Sequence, residues 1–311
     1  MTDLSHKYLR VQDLRRLRNL LFSTRRVVEG RFAGRHVSSQ RGQSVEFTDH
    51  RPYALGDEVG DIDWKIYGRS DKLFVRLFEH QSDMSVHLLI DASASMAYSG
   101  LDHREPSDFD VRPTVESKYD HACRIAAAIA FLATRQQDRI SFGFAKAGLR
   151  EFQPPGGSPG HLLGLLDAME RLRPQGEARL SKALAELASR VHGRGVLVVL
   201  SDLHEDPSPV LGAMSLFAHR GGEVVVFHTL HGDELALPEM DDALFVDSET
   251  QQRLPLNVSE LRNDYAKRMR GFLEGWSTAC RGRGFDYQLV NSAAHYHQAL
   301  EKFLFSRAAA G

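Results

Sequence analysis

Cysteine is nearly absent: the 311 residues hold two, Cys123 and Cys280. They stand far apart and form no C-x-x-C, which excludes a disulfide framework and a cysteine zinc site and suits a reducing compartment. No apolar run reaches the length of a membrane span, and the opening MTDLSHKYLR lacks a signal-peptide core, so the chain reads as soluble and cytoplasmic. There is no G-x-S-x-G, no H-E-x-x-H and no Walker motif. The 15 histidines are scattered without ligand spacing. Internal repeats and low-complexity domains are absent too. Net charge is only −2, yet it is unevenly spread. Residues 1–41 carry ten Lys/Arg against three Asp/Glu, a local +7 that leaves −9 for the remainder. Such an arm is either a contact for an acidic partner or nucleic acid, or a helix with a solvated basic face.

What is present suits a globular protein. Hydrophobic residues make up 42% and charged residues 26%, enough for a sizeable core in one large or two modest domains. Leu14, Leu17, Leu20 and Leu21 predict a helix over 8–29 with a narrow apolar stripe, stopped near Gly30. Residues 31–80 change texture: Gln43 to Thr48 and Lys72 to Phe78 alternate like strands, with turns at Pro52, Gly56-Asp57 and Ser70-Asp71. We read 1–80 as a basic helix plus a small β-rich unit, and 81–307 as the main domain.

From residue 83 onward strands alternate with helices. Strands are expected at 86–90, 140–145, 195–202, 222–230 and 285–290, with helices at 115–137, 160–172, 180–192, 207–219, 259–282 and 295–306. Ser117 and Asp120 form a capping pair for a helix apolar on nearly every side. The tight turn at Gly148 predicts an antiparallel edge strand. PPGGSPG at 154–160 lacks phosphate-loop spacing and reads as a connection. The long polar loop 97–113 is a flap or a disordered segment, and 232–257 a short hairpin or irregular stretch. The fold class is therefore α/β: a doubly wound, mostly parallel sheet with one antiparallel edge strand.

The chain is organised around Asp83 to Met96, DMSVHLLIDASASM. A strand buried on both faces ends at Asp91, with hydroxyls at Ser93 and Ser95. A second buried strand, GVLVVLSD, ends at Ser201 and Asp202. Carboxyl ends of strands are where open α/β sheets bind ligands. Hard oxygens suit Mg²⁺, Mn²⁺ or Ca²⁺ rather than zinc. The other reading is a strand end whose Asp caps a turn. His204, Glu205 and Asp206 either add negative potential at this rim or simply start the next helix.

D-A-S-A-S followed by a buried helix, and later V-V-L-S-D, resembles the von Willebrand factor A domain. That resemblance implies a metal-ion-dependent adhesion site with Ser93 and Ser95 as direct ligands, and Asp91 and Asp202 acting directly or through water. It also implies a threonine ligand on a second loop, where this chain has Ala178; Ser181 lies further along. The upstream stretch RPYALGDEVGDIDWKIYGRSDKLFVRLFE resembles the signature of domain of unknown function 58. Arg51, Tyr53, Gly56, Asp57, Ile62, Asp63, Trp64, Arg69, Val75, Arg76 and Glu79 fall in its register. Gly60-Asp61 replace a basic residue usual in that family. The signature is either structural, with Asp57 and Asp63 pairing Arg51, Arg69 or Arg76 and with Trp64 and Tyr53 anchoring the unit, or a partner-binding surface.

The family resemblance implies a MoxR-type AAA+ ATPase partner and a client protein. The expected function is a non-enzymatic adaptor binding a partner carboxylate through a divalent ion. One alternative is a metal-dependent hydrolase or phosphotransferase using Asp91, against which Ser93 stands where D-x-D enzymes need a second acid. Another is a nucleic-acid binder using the basic helix, which lacks a recognised motif.

Overall fold

The computed structural model describes residues 6–17, 20, 22, 46–53, 62–70, 72–79, 84–100, 116–192, 194–249 and 252–309. The chain divides into two compact units, 1–30 with 84–311, and 31–83. The amino-terminal residues thus group with the large unit, whereas the sequence pattern places one division after residue 80.

In the small unit, strand β1 (Glu46–Pro52) pairs antiparallel with β2 (Phe74–Glu79), with an irregularity between Phe47 and Asp49. Ile62 bridges to Val75, and both are buried. Asp63 starts helix α2 (Trp64–Ser70): its Oδ1 accepts from the backbone N–H groups of Lys65 (2.9 Å) and Ile66 (3.2 Å).

The large unit is built on a six-stranded sheet in the order β10-β7-β6-β3-β4-β5. Its strands are β3 (Ser85–Asp91), β4 (Arg139–Ala145), β5 (Leu149–Gly156), β6 (Gly195–Ser201), β7 (Glu223–Leu230) and β10 (Asp286–Asn291). All neighbours are parallel except β4 and β5. The expected mostly parallel α/β sheet with an antiparallel edge is what forms, a Rossmann-like arrangement. Pro154 and Pro155 fall in β5, where a missing N–H is tolerated because the strand is an edge.

Period-two alternation sorts the central strands between two cores. Val86, Leu88 and Ile90 face one cluster with α1 (Val11–Leu17), α3 (Lys118–Arg135), α4 (Pro159–Arg171) and α9 (Tyr296–Ala309). Leu89, Leu197 and Val199 face the other, with α5 (Leu180–Arg190), α6 (Pro207–His219) and α8 (Val258–Arg281). Helix α3 is buried along nearly its whole length; six alanines with no exposure or almost none let its backbone lie close to the sheet. Ser117 and Asp120 make the expected capping box. A short helix α7 (Gly232–Leu235) and the hairpin β8 (Asp242–Val246) with β9 (Arg253–Asn257) fill the segment read as a hairpin or irregular.

The helix expected over 8–29 is shorter: it ends at Leu17, and neither Leu20 nor Phe22 is helical. A tertiary contact outweighs the local periodicity there. The Gln136 side chain accepts from the Phe22 N–H (2.8 Å) and donates to its C=O (2.9 Å), while the Phe22 ring is buried near Phe303. Leu21, residues 23–30 including Gly30, and residues 101–113 of the expected flap lie outside the described residues.

Candidate functional site

The topology creates the site. From β3 the chain crosses to β4 on one side and returns to β6 on the other. The carboxyl ends of β3 and β6 therefore flank the point where strand order reverses, the crevice in which such sheets bind ligands. Register is level: Ile90 pairs Leu200, and the next residues are Asp91 and Ser201.

Asp91 is 2% exposed. Its Oδ1 accepts from the Ser93 N–H at 2.8 Å and its Oδ2 from the Ser201 hydroxyl at 2.5 Å. The Ser201 Oγ in turn accepts from the Leu203 N–H at 2.9 Å. The Ser93 and Ser95 hydroxyls meet at 3.0 Å, and the Ser95 hydroxyl reaches the Asp202 carboxylate. All four predicted ligands, Asp91, Ser93, Ser95 and Asp202, thus come together through Ser201 and Ser95. Ser201, noted in sequence only as a strand end, is the direct tie between the two strands.

The loop bearing Ala178 is held beside this rim, with Gln175 N–H donating to Ala92 O (3.0 Å) and Ala94 N–H to Gly176 O (2.8 Å). Ala178 supplies a methyl that packs on the second core. Ser181 does not replace it; its hydroxyl donates to Glu205. Glu205 is therefore committed to the start of α5 rather than to the rim.

The sequence reading missed Lys118. It is the first residue of α3, its side chain is 0% exposed, and its Nζ donates to Asp202 Oδ2 at 2.8 Å and Glu234 Oε1 at 2.6 Å. A signal existed: a lysine in the first turn of a buried helix opposes the helix dipole and needs acids to hold it. Glu234 belongs to the capping box of α7, where its other oxygen accepts from the His231 N–H at 2.7 Å. His204 lies 3.9 Å from Asp202 and 4.0 Å from Glu234. His228 bonds the Asp202 carbonyl at 2.9 Å and fixes the backbone behind the site.

Electrostatics separate the two aspartates. Burial alone would raise Asp202, but the Lys118 ammonium and then His204 hold it below the usual carboxylate range. Burial would lower Lys118, and Asp202 with Glu234 override it, so the lysine stays charged. Asp91 has no such partner. Burial first, and then the Asp202 charge, push it up to about 6 against the Ser201 and Ser93 hydrogen bonds. One buried carboxylate is thus matched by hydroxyl and N–H donors alone. Asp91, Ser93 and Ser95 form a hard-oxygen donor set that fits Mg²⁺, Mn²⁺ or Ca²⁺, whereas Asp202 already has a cation. Among the described residues, no group of three or more His, Cys, Asp or Glu could hold a metal ion.

The signature residues lie in the small unit. Trp64 is 58% exposed and meets Tyr67 edge-on at 6.0 Å. Asp63 caps α2, Tyr53 is half-buried and donates its N–H to Leu73 O at 3.0 Å, and Arg69 is exposed. Arg51 and Arg76 stand on the paired strands β1 and β2, with Arg51 opposite Val75 and Arg76 opposite His50. Gly56 and Asp57 lie outside the described residues.

Comparison with known proteins gives a family without an assigned activity. The family model described as protein of unknown function DUF58 matches residues 49–272. The uncharacterized protein Mb1516 of Mycobacterium bovis is 24% identical over 296 residues, covering 94% of this chain and 88% of that protein. The uncharacterized protein Rv1480 of Mycobacterium tuberculosis gives the same figures, 24% over 296 residues. An aerotolerance-related membrane protein from Bacteroides fragilis, crystallised with multiple mutations to serines, is similar at TM-score 0.44 and 16% identity, over 72% of this chain and 99% of that one. BatB from Bacteroides thetaiotaomicron is similar at TM-score 0.42 and 14% identity, over 73% and 100% of the two chains. In the described residues of the present chain, no helix is long and apolar enough to cross a membrane.

Proposed function

The chain belongs to the DUF58 family of proteins of unknown function, and from that premise we propose that it is a non-enzymatic interaction module that binds a partner's carboxylate through a divalent ion. Mg²⁺, or Mn²⁺ or Ca²⁺ in its place, is held by Asp91, Ser93 and Ser95, with Asp202 orienting the Ser95 hydroxyl from behind. Neutral hydroxyls leave such an ion with much of its charge, and a carboxylate from another protein completes its shell. The observation that carries this reading is Asp91: a buried carboxylate whose neighbours offer only hydroxyl and N–H donors, at the rim where the two central strands end.

The same geometry favours binding over catalysis. Both Asp91 oxygens are engaged by Ser93 and Ser201, which suits an anchor more than a nucleophile. The von Willebrand A-like resemblance of D-A-S-A-S and the family signature extend the proposal. The partner is a MoxR-type AAA+ ATPase, and the setting is cytoplasmic assembly or maturation of a client protein. Co-purification of that ATPase with the wild-type protein in Mg²⁺ tests this. Loss of the complex in EDTA and in Asp91→Ala is expected; an Asp91→Ala protein that captures the ATPase equally well in EDTA removes the metal bridge.

A further inference from the structure

Lys118 has no role in the metal-bridge reading as it stands, yet it is the most completely buried charge at the rim. Its ammonium sits 2.8 Å from Asp202 Oδ2 and 2.6 Å from Glu234 Oε1, with no exposed side-chain surface. It is delivered there rigidly. The Lys118 N–H donates to Tyr98 O at 2.9 Å, just beyond the D-A-S-A-S turn, and Ser117 and Asp120 lock the first turn of α3. Glu234 is fixed by the His231 N–H. The ammonium is therefore a stationary positive charge within one hydrogen bond of an aspartate that a divalent ion would otherwise claim.

We propose that Lys118 is a built-in competitor for the cation: it keeps Asp202 out of the ion's direct shell, so that Asp91, Ser93 and Ser95 hold the ion weakly and leave it open to a partner's carboxylate. The inference rests on the metal-bridge reading and specifies its affinity. The physical basis is charge. Two cations sharing one carboxylate repel each other, and in a buried site this repulsion is poorly screened. Glu234 moderates the competition by drawing the ammonium the other way. Removing the lysine frees Asp202 for the ion, while removing the Glu234 charge leaves the lysine to Asp202 alone.

The test is Mn²⁺ binding to the full-length protein, read by electron paramagnetic resonance of the free ion, together with the thermal midpoint with and without Mn²⁺. Lys118→Met is expected to bind Mn²⁺ about tenfold tighter than wild type or better. Its metal-free form melts earlier, because buried Asp202 loses its ammonium partner, and it gains more from Mn²⁺ than wild type does. Glu234→Gln keeps the lysine and is expected to bind more weakly than wild type. Should Lys118→Met not fold, Lys118→Gln replaces it, and Glu234→Gln decides if neither folds.

A lysine that is only structural glue lowers the melting point without tightening Mn²⁺, and that result overturns the inference while leaving the metal-bridge reading in place. Equal binding by wild type and Glu234→Gln also overturns it. Binding by Lys118→Met with none by wild type overturns the metal bridge and, with it, the weakly held ion proposed here. No binding by any of the proteins overturns both.

Discussion

Sealing a carboxylate from water costs several kcal/mol unless donors or a cation replace the lost hydration. At Asp91 the replacement is Ser201 and the Ser93 N–H. Ser201→Ala removes the donor at 2.5 Å and orphans the Leu203 N–H. We expect a loss of about 1–3 kcal/mol in urea unfolding, since a buried partner is left unsatisfied. A second residue-scale consequence concerns His87, which is buried on β3 with Nδ1 on the Ser141 hydroxyl at 2.6 Å. Burial lowers its pKa from 6.5 to about 4. Between those values the unfolded chain binds the extra proton and the folded one does not, so stability falls as pH drops through this window. His121, lowered to about 4 chiefly by burial, acts in the same sense, and Asp91, raised to about 6, in the opposite one. The informative quantity is thus a difference. From pH 7 to pH 5 the wild type should lose about 2 kcal/mol more than His87→Gln. Identical pH slopes for the two proteins would contradict a neutral buried imidazole.

At the scale of elements, α3 belongs to the first core and brings Lys118 to the rim, so its first turn is worth testing as a unit. Ser117→Ala should cost about 1 kcal/mol, the usual value of an N-cap. Asp120→Ala should cost more, because that carboxylate also accepts from Lys7 Nζ at 2.7 Å and from Tyr8 OH at 2.8 Å. Equal losses would mean that the amino-terminal contacts add nothing.

Elements were also where the sequence spoke most plainly. Strands β3 and β6 were legible because apolar runs ended abruptly in carboxylates and hydroxyls, and α3 because a capping pair preceded an all-apolar helix. The helix expected over 8–29 was misread because Gln136, more than a hundred residues away, claims the Phe22 backbone. Lys118 went unnoticed because a lone lysine at a helix start looks solvated until its acids, 84 and 116 residues away, are placed beside it. Ala178 was legible as a lost ligand; that its methyl packs into the core was not.

For the whole molecule, the two units carry different kinds of information. The large unit explains its own rim. The small unit holds the family signature, and its Trp64 is exposed rather than part of a core. Trp64→Ala should therefore change global stability by no more than about 1 kcal/mol, against the 3–5 kcal/mol or so of a buried tryptophan; a loss in the buried range would contradict its exposed placement.

In the proposed function, the ends of β3 and β6 hold a divalent ion on Asp91 and two serine hydroxyls. An anomalous-difference map from crystals soaked in MnCl₂ tests it most directly. A peak is expected at bonding distance, about 2.0–2.6 Å for hard cations, from the Ser93 and Ser95 hydroxyls, with Lys118 still on Asp202. A map without a peak there, at saturating Mn²⁺, would contradict it.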